Sequence, residues 1–291
     1  MSNKLQDSEL ILNNDGSVYH IHLKEEHIAD TVILVGDQGR VKAVSDYFEK
    51  IEYQISNREF VTCTGYYKDK RLTVLSTGIG ADNIDIAVSE LDAAVNIDLK
   101  TRHLKSKRRS LNLVRIGTSG ALQPDIPVGS FVISEYGLGF EGLVYYYDFE
   151  FSENEQKLTD SIQAHLQWNT KLSDPYVVTA SEKLFQKLGE GMVSGITATA
   201  SGFYGPQGRS LYLQPSISNL RQKLSSFSYN GHRITNFEME TSALYGLGKM
   251  MGHHCCTCCA IIANRSIKQY ADDYHPIVKD LIKVVLDRLA A

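Results

Sequence analysis

Short apolar runs of strand length alternate with helix-patterned stretches along nearly the whole of this chain, and few architectures satisfy that order. Thr31–Gly36, Leu72–Gly78, Leu113–Thr118, Ser130–Ser134, Met192–Ala200 and Thr257–Ala263 read as strands. Between and after them, Val41–Ile51, Ile84–Ile97, Glu155–Trp168, Glu238–Met251 and Pro276–Ala291 read as helices. Strands buried on both faces are apolar throughout, and the helices that cover them take turns with them in the chain. The order predicts an α/β sandwich around a central mixed sheet. There are six prolines and neither a low-complexity linker nor an internal repeat. Residues 18–291 are therefore expected to form a single domain, preceded by a polar, flexible segment 1–17.

Composition removes several classes of function. With 291 residues, 43% of them hydrophobic, the chain can bury a large core. A net charge of -4 provides no global basic field for nucleic acid. No apolar run approaches the roughly 20 residues of a membrane span, and the first residues lack the apolar core of a secretion signal. A cytoplasmic protein without nucleic-acid or membrane partners is expected. The one charge block, Lys100-Thr-Arg-His-Leu-Lys-Ser-Lys-Arg-Arg109, has no aromatic residues for base stacking and reads as a solvated excursion. Four of the five cysteines lie in His253-His-Cys-Cys-Thr-Cys-Cys259. Alternate strand residues face opposite ways, so adjacent cysteines on a strand cannot surround one metal ion, and they read as small buried hydrophobes.

Three groups of residues carry chemistry. Gly36-Asp-Gln-Gly-Arg40, Gly78-Ile-Gly80 and Arg115-Ile-Gly-Thr-Ser-Gly120 each follow a predicted strand. Glycine turns let backbone N–H groups approach an anion, and arginine adds a bidentate fork. None is a nucleotide-binding P-loop or dinucleotide fingerprint; with Arg58 to complete the cage, they suit a free phosphate ion. Asn236-Phe-Glu-Met-Glu-Thr-Ser-Ala243 sets Glu238 and Glu240 around Met239. A carboxylate accepts two hydroxyl hydrogen bonds and a thioether packs against carbon, which suits a sugar. In Phe203-Tyr-Gly-Pro-Gln-Gly-Arg209, Gln207 offers a donor and an acceptor to an imide edge, Arg209 donates to carbonyls, and Phe203 can pack on a flat ring.

These segments, with Ser76-Thr-Gly-Ile-Gly80, resemble the uridine branch of the nucleoside phosphorylase type I family from about Val18 to the C-terminus. The resemblance implies phosphorolysis of uridine to uracil and ribose 1-phosphate, with inorganic phosphate as co-substrate and no cofactor for the chemistry. It implies a phosphate site of Gly36, Arg40, Arg115 and Thr118, with Arg58 lent across a dimer interface. Met239 and Glu240 would hold the ribose, and His20 would reach a neighbour's 5′ hydroxyl. Phe203, Gln207, Arg209 and Arg265 would bind the base, with Arg115, Glu240 and Arg265 central to catalysis. Glu59, Ile79 and Asn83 match positions that hold a potassium ion between subunits in some members, although the last is usually serine. Shared sites imply a homodimer at least, and the family assembles hexamers. Gly205-Pro206 reverses the commoner order, which implies altered loop geometry with base recognition kept. The alternatives are a purine nucleoside phosphorylase, whose branch generally uses an aspartate at the position of Asn264, a nucleosidase of the same fold, which would likewise want that acid, and a non-catalytic nucleoside-binding homologue.

Overall fold

Runs of β-branched and apolar residues form the strands, and their burial shows how deep they lie: every residue of Thr31–Val35 is buried. The computed structural model describes residues 4–168 and 171–291. In chain order the strands are β1 Thr31–Val35, β2 Lys50–Asn57, β3 Phe60–Tyr67, β4 Lys70–Ser76, β5 Ile97–Asp98, β6 His103–Leu104 and β7 Asn112–Ala121. They continue with β8 Phe131–Gly139, β9 Tyr176–Thr179, β10 Val193–Thr199, β11 Ser228–Tyr229, β12 His232–Glu238, β13 His254–Asn264 and β14 Gln269–Tyr270. The helices are α1 Gln38–Ser45, α2 Ala81–Asn96, α3 Glu153–Leu166, α4 Glu182–Leu188, α5 Leu220–Ser226, α6 Thr241–Met251 and α7 His275–Ala290.

One mixed sheet runs in the order β11-β12-β10-β8-β13-β7-β1-β4-β3-β2. β4, β1, β7 and β13 are parallel neighbours, so their carboxyl ends share one edge. Beyond β13 the sheet curls: β8 runs antiparallel to it, β10 and β12 follow in parallel, and β12 returns to meet β7 through Asn236–Ala121 and Phe237–Gly120. The result is a small closed ring of five strands continuous with an open wing. Register shifts in β10 and between Ile261 and Ala263 of β13 supply the bends that closure needs.

Helices cover both faces. α2 and α6 pack on one side through Ile84, Leu91, Leu244 and Leu247. α1, α4 and α7 pack on the other through Val44, Leu188, Leu281 and Val285, and α3 and α5 close the far end. The cysteine run is the buried strand β13, with Cys255 in the first layer and Cys256 and Cys258 in the second. Among the described residues no helix is long and apolar enough to cross a membrane.

The segment 1–17, expected to be flexible, has partners from Lys4 onward: Leu10 is buried, the Leu5 N–H donates to Arg102 O at 2.9 Å, and Lys4 bridges to His103. The basic excursion is largely spent on such contacts. Arg102 pairs with Asp7, Lys105 with Glu25, Arg108 with Asp92 and Arg109 with Asp30, all at 2.6–2.9 Å. The helix expected over Val41–Ile51 is displaced: α1 starts at Gln38, ends at Ser45, and the chain enters β2 at Lys50. Its half-exposed register hides β2 from an apolar-run criterion, and β3 follows after a turn in which Arg58 takes φ 55°.

Candidate active site

The loops after the aligned strand ends surround a cavity of about 1060 Å³. At one end, Asp37 accepts the Gly39 N–H at 2.9 Å and caps α1. The first helical turn then carries Arg40 inward, where it donates to Ile116 O at 3.3 Å. Burial, and then the charge of Arg115, lower the Arg40 pKa. Two crowded guanidiniums at the edge of Gly36 and Thr118 invite an anion.

Arg115 lies where it does because Gly117 has no side chain. A Cβ at Gly117 would stand 1.9 Å from Arg115 Nη1 and 3.1 Å from Cys259 Sγ. Cys259 pairs with Gly117 in register, and its Sγ lies 3.7 Å from Nη1. From this seat Arg115 makes a short ion pair with Glu240 and a second with Glu238 at 3.4 Å, all three side chains being buried. Burial pulls the Arg115 pKa down, and the two glutamates more than reverse it. Two carboxylates share one cation in a dry site, and burial pushes Glu238 up to about 7, against the pull of Arg115.

The two glutamates have different duties. Glu238 closes β12 and accepts from Thr199 Oγ1 at 2.7 Å and from the backbone N–H groups of Glu240 and Thr241 at 3.0 Å. It therefore serves the first turn of α6 from outside. The expected helix start at Glu238 is corrected to Thr241, because ladder pairing holds Glu238 extended. Glu240 accepts from the Gly80 N–H at 2.9 Å and the Met239 N–H at 3.2 Å. Arg115 and the Met239 N–H occupy Oε2, whereas Oε1 accepts only the Gly80 N–H and keeps a lone pair for a hydroxyl beside Met239.

At the far end, Gly205–Gln207 forms one 3₁₀ turn with Pro206 inside it, and Gly208 follows at φ 64°. Gln207 is buried, while Arg209 donates to its side-chain oxygen and to Phe203 O at 2.6 Å. Arg265 donates to Gln207 O at 3.1 Å from the end of β13. Phe203 lines the cavity, but one ring face is taken: the Arg209 guanidinium sits 3.8 Å from its centroid. Asn264 points elsewhere. Its amide donates to Gln123 O at 2.8 Å and Ile126 O at 2.9 Å and accepts from the Ser266 N–H at 3.0 Å.

The structure thus brings Gly36, Arg40, Arg115, Thr118, Met239, Glu240, Phe203, Gln207, Arg209 and Arg265 around one cavity. Glu59, Ile79 and Asn83 lie at its rim. His20 and Arg58 do not line it. His20 Nδ1 sits 2.6 Å from Glu90 Oε1, and Arg58 is exposed, 5.4 Å from the Tyr19 ring centroid. Tyr270 and Tyr274 also line the cavity; as isolated residues with no spacing to mark them, they escape sequence reasoning.

A family model, the Phosphorylase superfamily, matches residues 30–290. The uridine phosphorylase of Thermococcus kodakarensis is 30% identical over 273 residues, covering 93% of this chain and 86% of that protein. A DeoD-type purine nucleoside phosphorylase of Thermoanaerobacter sp. (strain X514) is 40% identical over 116 residues, 40% of this chain and 44% of that one. Among solved structures, a Trypanosoma brucei nucleoside phosphorylase that shows uridine phosphorylase activity aligns with a TM-score of 0.87 at 28% identity. The alignment covers 96% of this chain and 99% of that one.

Proposed function

The chain belongs to the phosphorylase superfamily, and on that premise we propose that it cleaves uridine with inorganic phosphate, reversibly, to uracil and ribose 1-phosphate. One observation carries the assignment. A single cavity holds guanidiniums at Arg40 and Arg115, a carboxylate oxygen with a spare lone pair at Glu240, and an amide–guanidinium edge at Gln207, Arg209 and Arg265. Their succession matches phosphate, ribose and pyrimidine.

A phosphate oxygen forms the new bond to C1′ as the bond from C1′ to base N1 breaks. The electron pair of that bond leaves on the base, which takes a proton from water. Phosphate at Arg40, Arg115, Thr118 and the Gly36 backbone is both nucleophile and counter-charge to a sugar that gains positive character. Glu240 fixes the ribose hydroxyls while tied to Arg115, so sugar and phosphate share one scaffold. Gln207, Arg209 and Arg265 meet the negative charge that grows on the base. Catalysis here is positioning and preorganised electrostatics.

Asn264 supports the pyrimidine assignment, since its amide is committed to Gln123 and Ile126 and holds no transferable proton. The placement of His20 and Arg58 off the cavity of their own chain supports sites completed by a second copy, in a dimer or in the hexamer the family forms. Glu59, Ile79 and Asn83 offer a carboxylate, a backbone carbonyl and an amide oxygen, a hard-oxygen set that suits potassium. The five free, buried cysteines accord with a reducing compartment such as the cytoplasm.

The test is uracil release from uridine by the purified protein with and without phosphate, beside inosine, adenosine and cytidine. Phosphate-dependent turnover favouring uridine is expected, and efficient inosine cleavage would overturn the assignment.

A further inference from the structure

A small recess of about 20 Å³ opens behind the base end of the cavity, large enough for one oxygen-sized group. Beside the neutral Gln207 and Ser266, its charged lining is cationic. Arg209 reaches it from the base loop, Arg265 from the end of β13 and Arg221 from the first turn of α5, and among the described residues no carboxylate lines it. Arg209 and Arg265 are partly committed to Phe203 O and Gln207 O. Arg221 is half-buried, and among the described residues the arginine–carboxylate pairs do not include it. Its stem passes beside Gly208, close enough that a Cβ there would stand 3.6 Å from Arg221 Cγ, an ordinary contact. Burial and then Arg221 lower the Arg265 pKa to about 10, and burial with Arg221 also lowers Arg209. Guanidiniums stay protonated at neutral pH. Three positive charges therefore crowd one recess to which the described residues bring no counter-ion.

We propose that Arg221 is a third base-end cation, which with Arg209 and Arg265 turns this recess into a receptor for the oxygen that carries the departing pyrimidine's negative charge. The inference rests on the uridine assignment and extends it to a residue that no motif marks. A neutral base carbonyl gains little from a third cation, whereas an anion gains more, so the interaction strengthens as the glycosidic bond breaks.

The test compares Arg221→Met, which keeps the stem and drops the charge, with Arg221→Gln and Arg221→Lys. Each is assayed on uridine and on 5-fluorouridine, whose electron-withdrawing fluorine makes the base a more stable anion. For uridine, kcat/KM should fall about ten-fold or more in the Met and Gln variants, by analogy with other oxyanion donors. Their KM for phosphate should hold. The loss for 5-fluorouridine should be several-fold smaller, and Lys should restore most of the uridine activity. A merely structural role would depress both substrates equally. Equal losses, or none, in a folded neutral variant would overturn the role of Arg221. Failure of the unmutated protein to cleave uridine would instead defeat the uridine assignment, and this inference with it.

Discussion

Gly117 shows how one absent side chain can decide activity. Arg115 occupies the space a Cβ would need, and the obstructing atom is the far end of a flexible side chain. Gly117→Ala should therefore displace the guanidinium and leave the sheet intact. We expect a loss on the order of 2–4 kcal/mol in transition-state stabilisation, the range for lost oxyanion donors, with a thermal midpoint near the parent's. Steady-state kinetics beside a melting curve would check this, and near-normal turnover would refute the seating of Arg115. Glu238 gives a pH dependence. Its folded pKa, raised by burial to about 7, exceeds the unfolded carboxyl value of roughly 4.3. Between those values the folded state holds the extra proton, so this group's contribution to stability is lost as pH rises through about 7. Glu238→Gln should flatten that part of the profile, measured as denaturant midpoints at pH 5 and pH 8. Charged and amide residues in recurrent spacing were legible in the sequence. Tyr274 and Arg221 were not, because their roles arise only when separate elements converge, and Gly117, although it stands in the Arg115–Gly120 motif, read as an anion-binding turn rather than as the space on β7 that the Arg115 side chain fills.

At the level of elements, the tail of β13 does more than deliver Arg265. Asn264 pins the strand end to Gln123 and Ile126. Asn264→Asp would set a carboxylate against two carbonyl oxygens, costing roughly 1–3 kcal/mol or more, and would bring no gain in inosine cleavage. Urea titration and a purine-nucleoside assay test the two halves; new inosine activity in a stable variant would reopen the purine branch. Most of the parallel strands and their crossover helices could be read from apolar runs, since burial on both faces leaves an unbroken pattern, but β12, parallel to β10, was not among them. The hairpin β2–β3 could not. β2 is half-exposed and follows a short helix, so its pattern merges with the helical one. Glu238 looked helical from its neighbours, yet ladder pairing with Thr199 holds it extended. Ring closure through two residue pairs of β12 and β7 leaves no local mark at all.

For the whole molecule, residues off their own cavity predict complementation between copies. Mixing a Gln207→Leu chain with an Arg58→Ala chain, each nearly inactive alone, should restore activity, because one site in the mixed dimer receives an intact cavity and an intact partner arginine. No recovery after verified subunit exchange would argue for self-contained sites. The cysteine strand has a different consequence. All five thiols are buried, and four of them lie on β13 between the two helical layers. Burial also raises the pKa of Cys255 and holds Cys259 up at about 12, so little thiolate exists to react. A bulky alkylating reagent can reach these sulfurs only when the central sheet itself opens. At reagent concentrations that trap the thiols faster than the sheet recloses, the rate at which the chain gains mass then reports the lifetime of the folded state, with no engineered probe introduced.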